Sequence, residues 1–536
     1  MLWVGSKLSG GGPRKLKRRD EAAKVEPRSK ALGRRPRSKT IDGSMPLPDT
    51  GSAPSAPAKP TESRRWLKPR VPSEQLYRLA PARRPRTRLG MLTPGDRVRN
   101  VIRAWWVWLA GALVLEGFGR HISSLIAGAL SFLLYHTSAG SHPAVYALEP
   151  SFDTESPEFT TTMAGATGMP VVEGNRVALY DNGDQFYPAM LQEIESARMS
   201  ITMEQYIFWH GRVGRRFAEA FAQKARSGIP VKLLLDAIGS STLGSDIFKI
   251  LEAGGCQLAW FRPIKWYTLH RANRRDHRKS LIVDGQVAFT GGAGIADHWL
   301  GAAENPDQWR DSQIRVEGPS VAWQQAGFAQ NWLVTTGEIL HGHEFFPEPL
   351  PAGDVAVQTI LSSPSFGAGA AGTMYMIALP CAKRYIYIAN PYFIPDSRVV
   401  DMLARACLRG VTVKLMLAGK YNDTWWARQN SLRHYGKLLE AGVEIYEYQP
   451  TMLHQKTMIV DGVWATVGTA NFDNRSFSLN EETNICFHDG ALIAQLRAVF
   501  FADLARCERI QLSQWKKRGA RQRAMEMLAS LIENQV

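Results

Sequence analysis

The chain has 536 residues, 45% hydrophobic and 21% charged. That length exceeds the size at which one hydrophobic core keeps growing, so two globular units plus extra segments are expected. The net charge is +16, but residues 1–100 hold 25 Lys and Arg against 8 Asp and Glu, and residues 101–536 hold 40 against 41. The basic surplus lies in the N-terminal tail, and a near-neutral body speaks against nucleic acid as its partner.

Residues 1–90 are rich in Pro, Ser, Gly and Arg, as in Arg34-Arg35-Pro36-Arg37 and Arg83-Arg84-Pro85-Arg86. They bury too little surface to offset ordering entropy, which predicts a disordered basic tail. Either the tail is a solvated linker or upstream start, or it is drawn to anionic lipid headgroups, at roughly 1 kcal/mol per basic residue near the surface. Within 91–140, two apolar runs (104–115 and 122–135) are each shorter than the roughly 20 residues of a straight membrane span. Trp105, Trp106 and Trp108 stand at one end and Tyr135 at the other. One tilted span, a re-entrant pair, interfacial helices and a buried soluble hairpin all remain open, and a membrane-associated segment is the expectation.

Beyond Met169, short β-rich runs alternate with helical stretches, which reads as an α/β body. An internal repeat organises it. The segment Ala197-Arg-Met-Ser-Ile-Thr-Met resembles Ala382-Lys-Arg-Tyr-Ile-Tyr-Ile, and Gly228-Ile-Pro-Val-Lys-Leu-Leu-Leu resembles Gly410-Val-Thr-Val-Lys-Leu-Met-Leu. Two similar α/β lobes related by a pseudo-two-fold follow, at 173–350 and 351–510, with a C-terminal amphipathic tail at 511–536. Five cysteines (Cys256, Cys381, Cys407, Cys486, Cys507) show no CxxC pair and read as small core residues.

Each lobe carries the same polar signature, His277-Arg-Lys279-Ser-Leu-Ile-Val-Asp284-Gly285 and His454-Gln-Lys456-Thr-Met-Ile-Val-Asp461-Gly462. An apolar run into Asp-Gly and a second β run is the sequence form of a tight hairpin. Residues two apart on a strand share a face, so each His projects with its Lys. Two such lysines can neutralise a phosphodiester in its transition state, one imidazole can attack phosphorus in line, and the opposite one can protonate the leaving oxygen. The sequence offers no HExxH or DxDxDG metal-ligand spacing, and no cofactor is expected.

Paired HxKxxxxD motifs resemble the phospholipase D superfamily. The continuation Gly468-Thr469-Ala-Asn471-Phe-Asp473 after the second copy is similar to its bacterial cardiolipin synthase branch. The first copy has Gly294 where that branch usually has Asn. The resemblance covers roughly 173–500. It implies a phosphohistidine formed on His277 with His454 as general acid, and a catalytic set of His277, Lys279, Asp284, His454, Lys456 and Asp461. Thr469 and Asn471 support the site by the same resemblance. A carboxylate some thirty residues past each motif would hold each histidine: Glu482 for His454 in lobe two, and Asp311 in lobe one. An ordinary ion pair with Arg310 or Arg315 is the alternative for Asp311, and Glu204 is a further polar anchor near the site mouth.

The implied activity moves a phosphatidyl group between phosphatidylglycerol molecules, with the membrane as partner and the bacterial inner membrane as location. Hydrolysis to phosphatidic acid and a non-catalytic lipid tether are the alternatives. The longer loop before the first motif (264–276) mixes Trp266 and Tyr267 with Arg271, Arg274 and Arg275, and is either a headgroup-dipping loop or a solvated one. The stretch 515–532 has the pattern of a basic amphipathic helix, either free or docked on the body.

Overall fold

The computed structural model describes residues 105–137, 150, 152–264, 273–364 and 369–530. The expected tail at 1–90 lies outside the described residues, as does 265–272 of the loop before the first motif. The described residues belong to one compact unit, Arg88–Val536.

Fifteen strands among the described residues form a single sheet. The first half contributes β1 (Val171–Asp181), β2 (Ile201–Gln205), β3 (Val231–Asp236), β4 (Gln257–Phe261), β5 (Lys279–Val283), β6 (Val287–Gly291) and β7 (Ser312–Glu317). The second contributes β8 (Val355–Ser362), β9 (Tyr385–Asn390), β10 (Thr412–Ala418), β11 (Glu444–Tyr448), β12 (Thr457–Val460), β13 (Trp464–Gly468), β14 (Glu482–Phe487) and β15 (Cys507–Arg509). Their order is β15-β11-β10-β9-β12-β13-β14-β8-β1-β7-β6-β5-β2-β3-β4. Strands β2, β3 and β4 run parallel, as do β9, β10 and β11, while β5-β6-β7 and β12-β13-β14 are antiparallel meanders. The order therefore reads the same way outward from the central β8–β1 pair, and the repeat seen in the sequence is a repeat in topology.

Alternation along the strands explains how the halves pack. Leu281 and Val283 of β5 join Phe217 and Phe221 of the helix Arg212–Arg226, while Ile282 between them joins Ile459, Val467 and Ile485 of the second half. In β12, Met458 and Val460 pack with Leu379 and Leu403 of flanking helices, while Ile459 enters the shared core. Side chains of period two thus give each half one face for its own helices and one for its twin. All five cysteines are free thiols, with Cys381 and Cys486 buried.

The apolar segment forms two helices, Trp105–Gly117 and His121–Thr137, which pack on each other. The chain reverses at Gly119, whose φ of +66° suits a residue without Cβ. Ser124 donates to the Ala112 carbonyl at 2.9 Å across the pair. A single tilted span is thereby corrected: no described helix is long and apolar enough to cross a membrane. A buried soluble hairpin is corrected too, since Phe118 is 79% and Ile122 77% exposed, with Leu113, Val114, Leu125 and Ile126 beside them. The C-terminal helix is likewise broken, into Leu512–Lys516 and Ala520–Ala529, and it docks. Trp515 packs 5.1 Å from Tyr435, and Arg518 pairs with Glu526 at 2.9 Å.

Candidate active site

The hairpins β5–β6 and β12–β13 turn through Asp284-Gly285 and Asp461-Gly462, all four residues having positive φ, as a type I′ turn requires. The Asp284 carboxylate accepts from the backbone N–H groups of Arg198, Met199 and Ser200 at 2.7–3.1 Å. Asp461 accepts from those of Lys383, Arg384 and Tyr385 at 2.7–2.8 Å, and from the Thr154 hydroxyl at 3.2 Å. Each aspartate stitches its turn to the segment entering β2 or β9. At about 3.3 Å per strand residue it lies roughly 20 Å from its motif histidine. The catalytic role expected for Asp284 and Asp461 is corrected to a bracing one.

The histidines and lysines lie at the opposite ends of these hairpins, where the halves meet. Strands β7 and β14, the third of each meander, flank the central β8–β1 pair, so each begins beside the motif of the other half. The backbone fixes this crossing: His277 N–H donates to the Glu481 carbonyl at 3.0 Å, and His454 N–H to the Arg310 carbonyl at 2.7 Å. The residues that follow then reach across. Nδ1 of His277 lies 3.0 Å from both carboxylate oxygens of Glu482, and Nδ1 of His454 lies 2.7 Å from Oδ2 of Asp311. The expectation that Glu482 serves His454 and Asp311 the first lobe is therefore corrected: each histidine is held by the carboxylate of the other half. The spacing of 28 residues from His454 to Glu482 points within the lobe, but strand order sends the side chain out of it. Arg310, offered as an ion-pair partner for Asp311, instead bonds Asp503 at 2.8 Å and Asp181 at 3.1 Å.

The lysines fold back along their own strands, Lys279 Nζ to the His277 carbonyl at 2.9 Å and Lys456 Nζ to the His454 carbonyl at 2.6 Å. Burial and the neighbouring Lys456 lower the Lys279 ammonium to about 7. Burial lowers Lys456 to about 8, against the pull of Asp311, Glu482 and Asp423. Burial also lowers His277, to about 4 against the pull of Glu482, while burial and then Lys456, Lys279 and His277 hold His454 well below its usual range. Mutual perturbation of this kind marks four groups in one site.

The two carboxylates differ. Glu482 also receives the Thr469 hydroxyl at 2.5 Å and the Asn480 amide at 3.4 Å, and it sits below the usual carboxylate range although burial opposes this. Asp311 receives Trp299 Nε1 and the Ser312 N–H, both at 2.9 Å, yet burial raises it to about 6. With Nδ1 bonded to a carboxylate, each imidazole presents Nε2 as its reactive nitrogen, which on His454 lies 3.1 Å from Lys456 Nζ.

Among the remaining candidates, Asn471 donates its backbone N–H to Ser476 Oγ at 3.0 Å, and its side-chain oxygen is buried without a hydrogen-bond partner among the described residues. At Gly294 a Cβ would come within 2.8 Å of Ile207 Cβ, so the lack of a side chain there is built into the packing. Glu204 is not at the site mouth. It is fully buried on β2, 3.1 Å from the Asn331 amide and 3.9 Å from Arg278. Arg275 is buried too, bonded to the Arg262 carbonyl at 3.0 Å, so it takes no part in a headgroup-dipping loop. Two residues given no role from the sequence line the histidines: the Tyr206 ring lies 5.1 Å from His277, and the Tyr392 ring 6.2 Å from His454. Both fall just past the end of a repeated strand, a signal the sequence did contain.

A doubled α/β sheet with a His/Lys pair from each half at its centre defines a phospholipase D-type phosphodiester-transfer site. The fold is shared with the phosphatidylserine synthase of Haemophilus influenzae, at 13% identity and a TM-score of 0.56 over 71% of this chain and 100% of that one. Residues 190–313 and 375–504 match the family described as cardiolipin synthase, PLD-like domain. Cardiolipin synthases of Geobacillus kaustophilus and of Clostridium perfringens are each 35% identical over 366 residues, covering 68% and 67% of this chain and 73% and 76% of theirs. The chain belongs to the cardiolipin synthase family, phosphatidyltransferases of the phospholipase D superfamily, and phosphatidyl transfer is the reaction of that family.

Proposed function

We propose that the chain transfers a phosphatidyl group from one phosphatidylglycerol to the hydroxyl of another, through a phosphohistidine on His277, with release of glycerol. The observation that carries this reading is the crossed, unequal pairing of the histidines. An imidazole that takes phosphorus on Nε2 becomes cationic, and the fully ionised Glu482 at its Nδ1–H stabilises that charge. Asp311, raised by burial, is held less firmly in its ionised form and so stabilises an imidazolium on His454 less, which suits His454 to giving up a proton.

In the first step the Nε2 lone pair of His277 attacks phosphorus, the bond to the glycerol oxygen breaks, and that oxygen takes a proton from His454. Burial, and then the Lys456 and Lys279 ammonium groups, hold His454 neutral. A bound phosphodiester anion offsets those charges and lets His454 carry the proton. In the second step an incoming hydroxyl gives its proton to His454 and attacks phosphorus, and the P–N electron pair returns to His277. Thr469 and Asn480 keep Glu482 in place throughout, and the buried side-chain oxygen of Asn471 has an acceptor to spare.

The halves 173–350 and 351–510 act as lobes of this one site. The helical pair, with its apolar face exposed, lies at the membrane interface, and the basic residues of 1–90 add attraction to anionic lipid at the bacterial inner membrane. Incubating the purified enzyme with labelled phosphatidylglycerol tests the reading: cardiolipin plus glycerol is expected. Phosphatidic acid alone would make it a phospholipase D, and no turnover would leave a lipid-surface tether.

A further inference from the structure

The rims of the two halves differ where the parallel strands end, the place at which open α/β sheets receive ligands. In the first half β3 ends on Asp236, which is fully buried and accepts the backbone N–H groups of Ile238, Gly239 and Asp276 at 2.9–3.1 Å. In the second half the loop after β10 presents Asp423, whose side chain reaches the surface while its carboxylate lies among enough protein that burial raises it, against the hydrogen bonds of Tyr392 and Thr424. Both of its carboxylate oxygens take the Tyr392 hydroxyl, at 2.5 and 2.6 Å. The repeat puts Ile207 in the first half where Tyr392 stands in the second, so this phenol–carboxylate pair has no twin. Its place is the His454 side of the site: the Tyr392 ring meets His454 edge-on, and the charge of Asp423 acts on Lys456.

We propose that Asp423, braced by the Tyr392 hydroxyl, is the acceptor that binds the free hydroxyls of a polyol alcohol beside His454, and so selects a polyol over a simple alcohol or water. The proposal rests on the reading that alcohols leave and enter on the His454 side. A carboxylate suits the task because it only accepts, while a polyol in its subsite has hydroxyl protons to donate. In the transfer step the reacting hydroxyl forms the new P–O bond and gives its proton to His454, while the P–N bond breaks and its electron pair returns to His277. A second hydroxyl of the same molecule donates to Asp423, and no bond to Asp423 forms or breaks.

The test is an acceptor competition read within one sample. The full chain, in mixed micelles with phosphatidyl-p-nitrophenol as donor, is given glycerol and methanol at equal concentration, and the ratio of phosphatidylglycerol to phosphatidylmethanol is measured. Because both products come from the same active molecules, any misfolded fraction cancels. Asp423→Asn should lower the ratio about tenfold or more, the loss expected for one charge-assisted hydrogen bond. Tyr392→Phe, which loosens the carboxylate without removing it, should lower it by a smaller factor. Should Asp423→Asn give no product, Asp423→Ser reads the same ratio. A ratio within twofold of wild type in the Asp423 variant overturns the subsite alone. Wild type that transfers to neither alcohol overturns the subsite and the underlying reading together.

Discussion

The two half-sites contain the same parts and differ in everything around them. His277 is paired with a Glu482 held below the usual carboxylate range by His277, Lys279 and the Thr469 hydroxyl. His454 is paired with an Asp311 that burial has raised to about 6. The Tyr392 phenol stands on the His454 side, where the repeat gives the first half Ile207, and the repeat likewise gives the first half Gly294 in place of Asn471. On the other side three buried charges, Asp276, Arg278 and Glu481, cluster next to His277, where the repeat puts Leu453, Gln455 and the single buried charge Arg310 next to His454. The repeat supplies two imidazoles, and the proposed division of labour between them rests on surroundings that differ, as with any pair of titratable groups whose environments push them apart.

The largest effect expected is from His277→Ala, which should lower phosphatidyl transfer by a factor on the order of 10⁴ or more, as removal of a nucleophile does. Replacing Lys279 or Lys456 with Ala should cost roughly 10²–10³, similar to losing an oxyanion donor in a desolvated site. Lys279→Arg should not restore the loss, because a planar fork does not replace a compact ammonium. The same lysines set a pH limit. Their folded values are lowered to about 7 and about 8, so the charged forms needed for phosphate are lost as pH rises through that window. The profile of kcat/KM, which reports the free enzyme, should fall there, and a flat profile from pH 6 to 9 would contradict the assignment.

A smaller and more discriminating effect concerns the crossing. Glu482→Gln should move the ¹⁵N resonances of the His277 ring and leave those of His454 nearly in place, with Asp311→Asn doing the reverse. Movement of the same-half histidine instead would break the comparison. Smallest for catalysis are the braces: Asp284→Ala or Asp461→Ala should cost roughly 1–3 kcal/mol in denaturant unfolding, since three backbone N–H groups, most of them partly buried, lose their acceptor. Turnover per folded molecule should stay close to wild type.

Much of this was legible in the sequence, for physical reasons. The repeat, the hairpins and the His/Lys faces follow from local periodicity and from Asp-Gly turn chemistry, which depend on residues a few positions apart. The partner of each histidine does not. Glu482 and Asp311 were visible as candidates, but which imidazole each meets is decided by β14 and β7 flanking the central pair, a long-range fact that residue spacing does not encode. The role of Asp284 and Asp461 was hidden similarly, because their N–H donors at 198–200 and 383–385 lie some eighty residues upstream. Asp423 escaped notice because it sits in a loop that the repeat does not share.

The central claim, that His277 takes the phosphatidyl group while His454 handles the proton, is tested most directly by trapping the adduct. With labelled phosphatidyl-p-nitrophenol, whose leaving group needs little protonation, a His454→Ala enzyme quenched in acid should carry label on His277 and lose it slowly, for want of a base to activate the incoming alcohol. A His277→Ala enzyme should carry none. Label on His454 in the His277→Ala protein would reverse the roles, and absence of label from wild type and both variants would contradict the covalent mechanism itself.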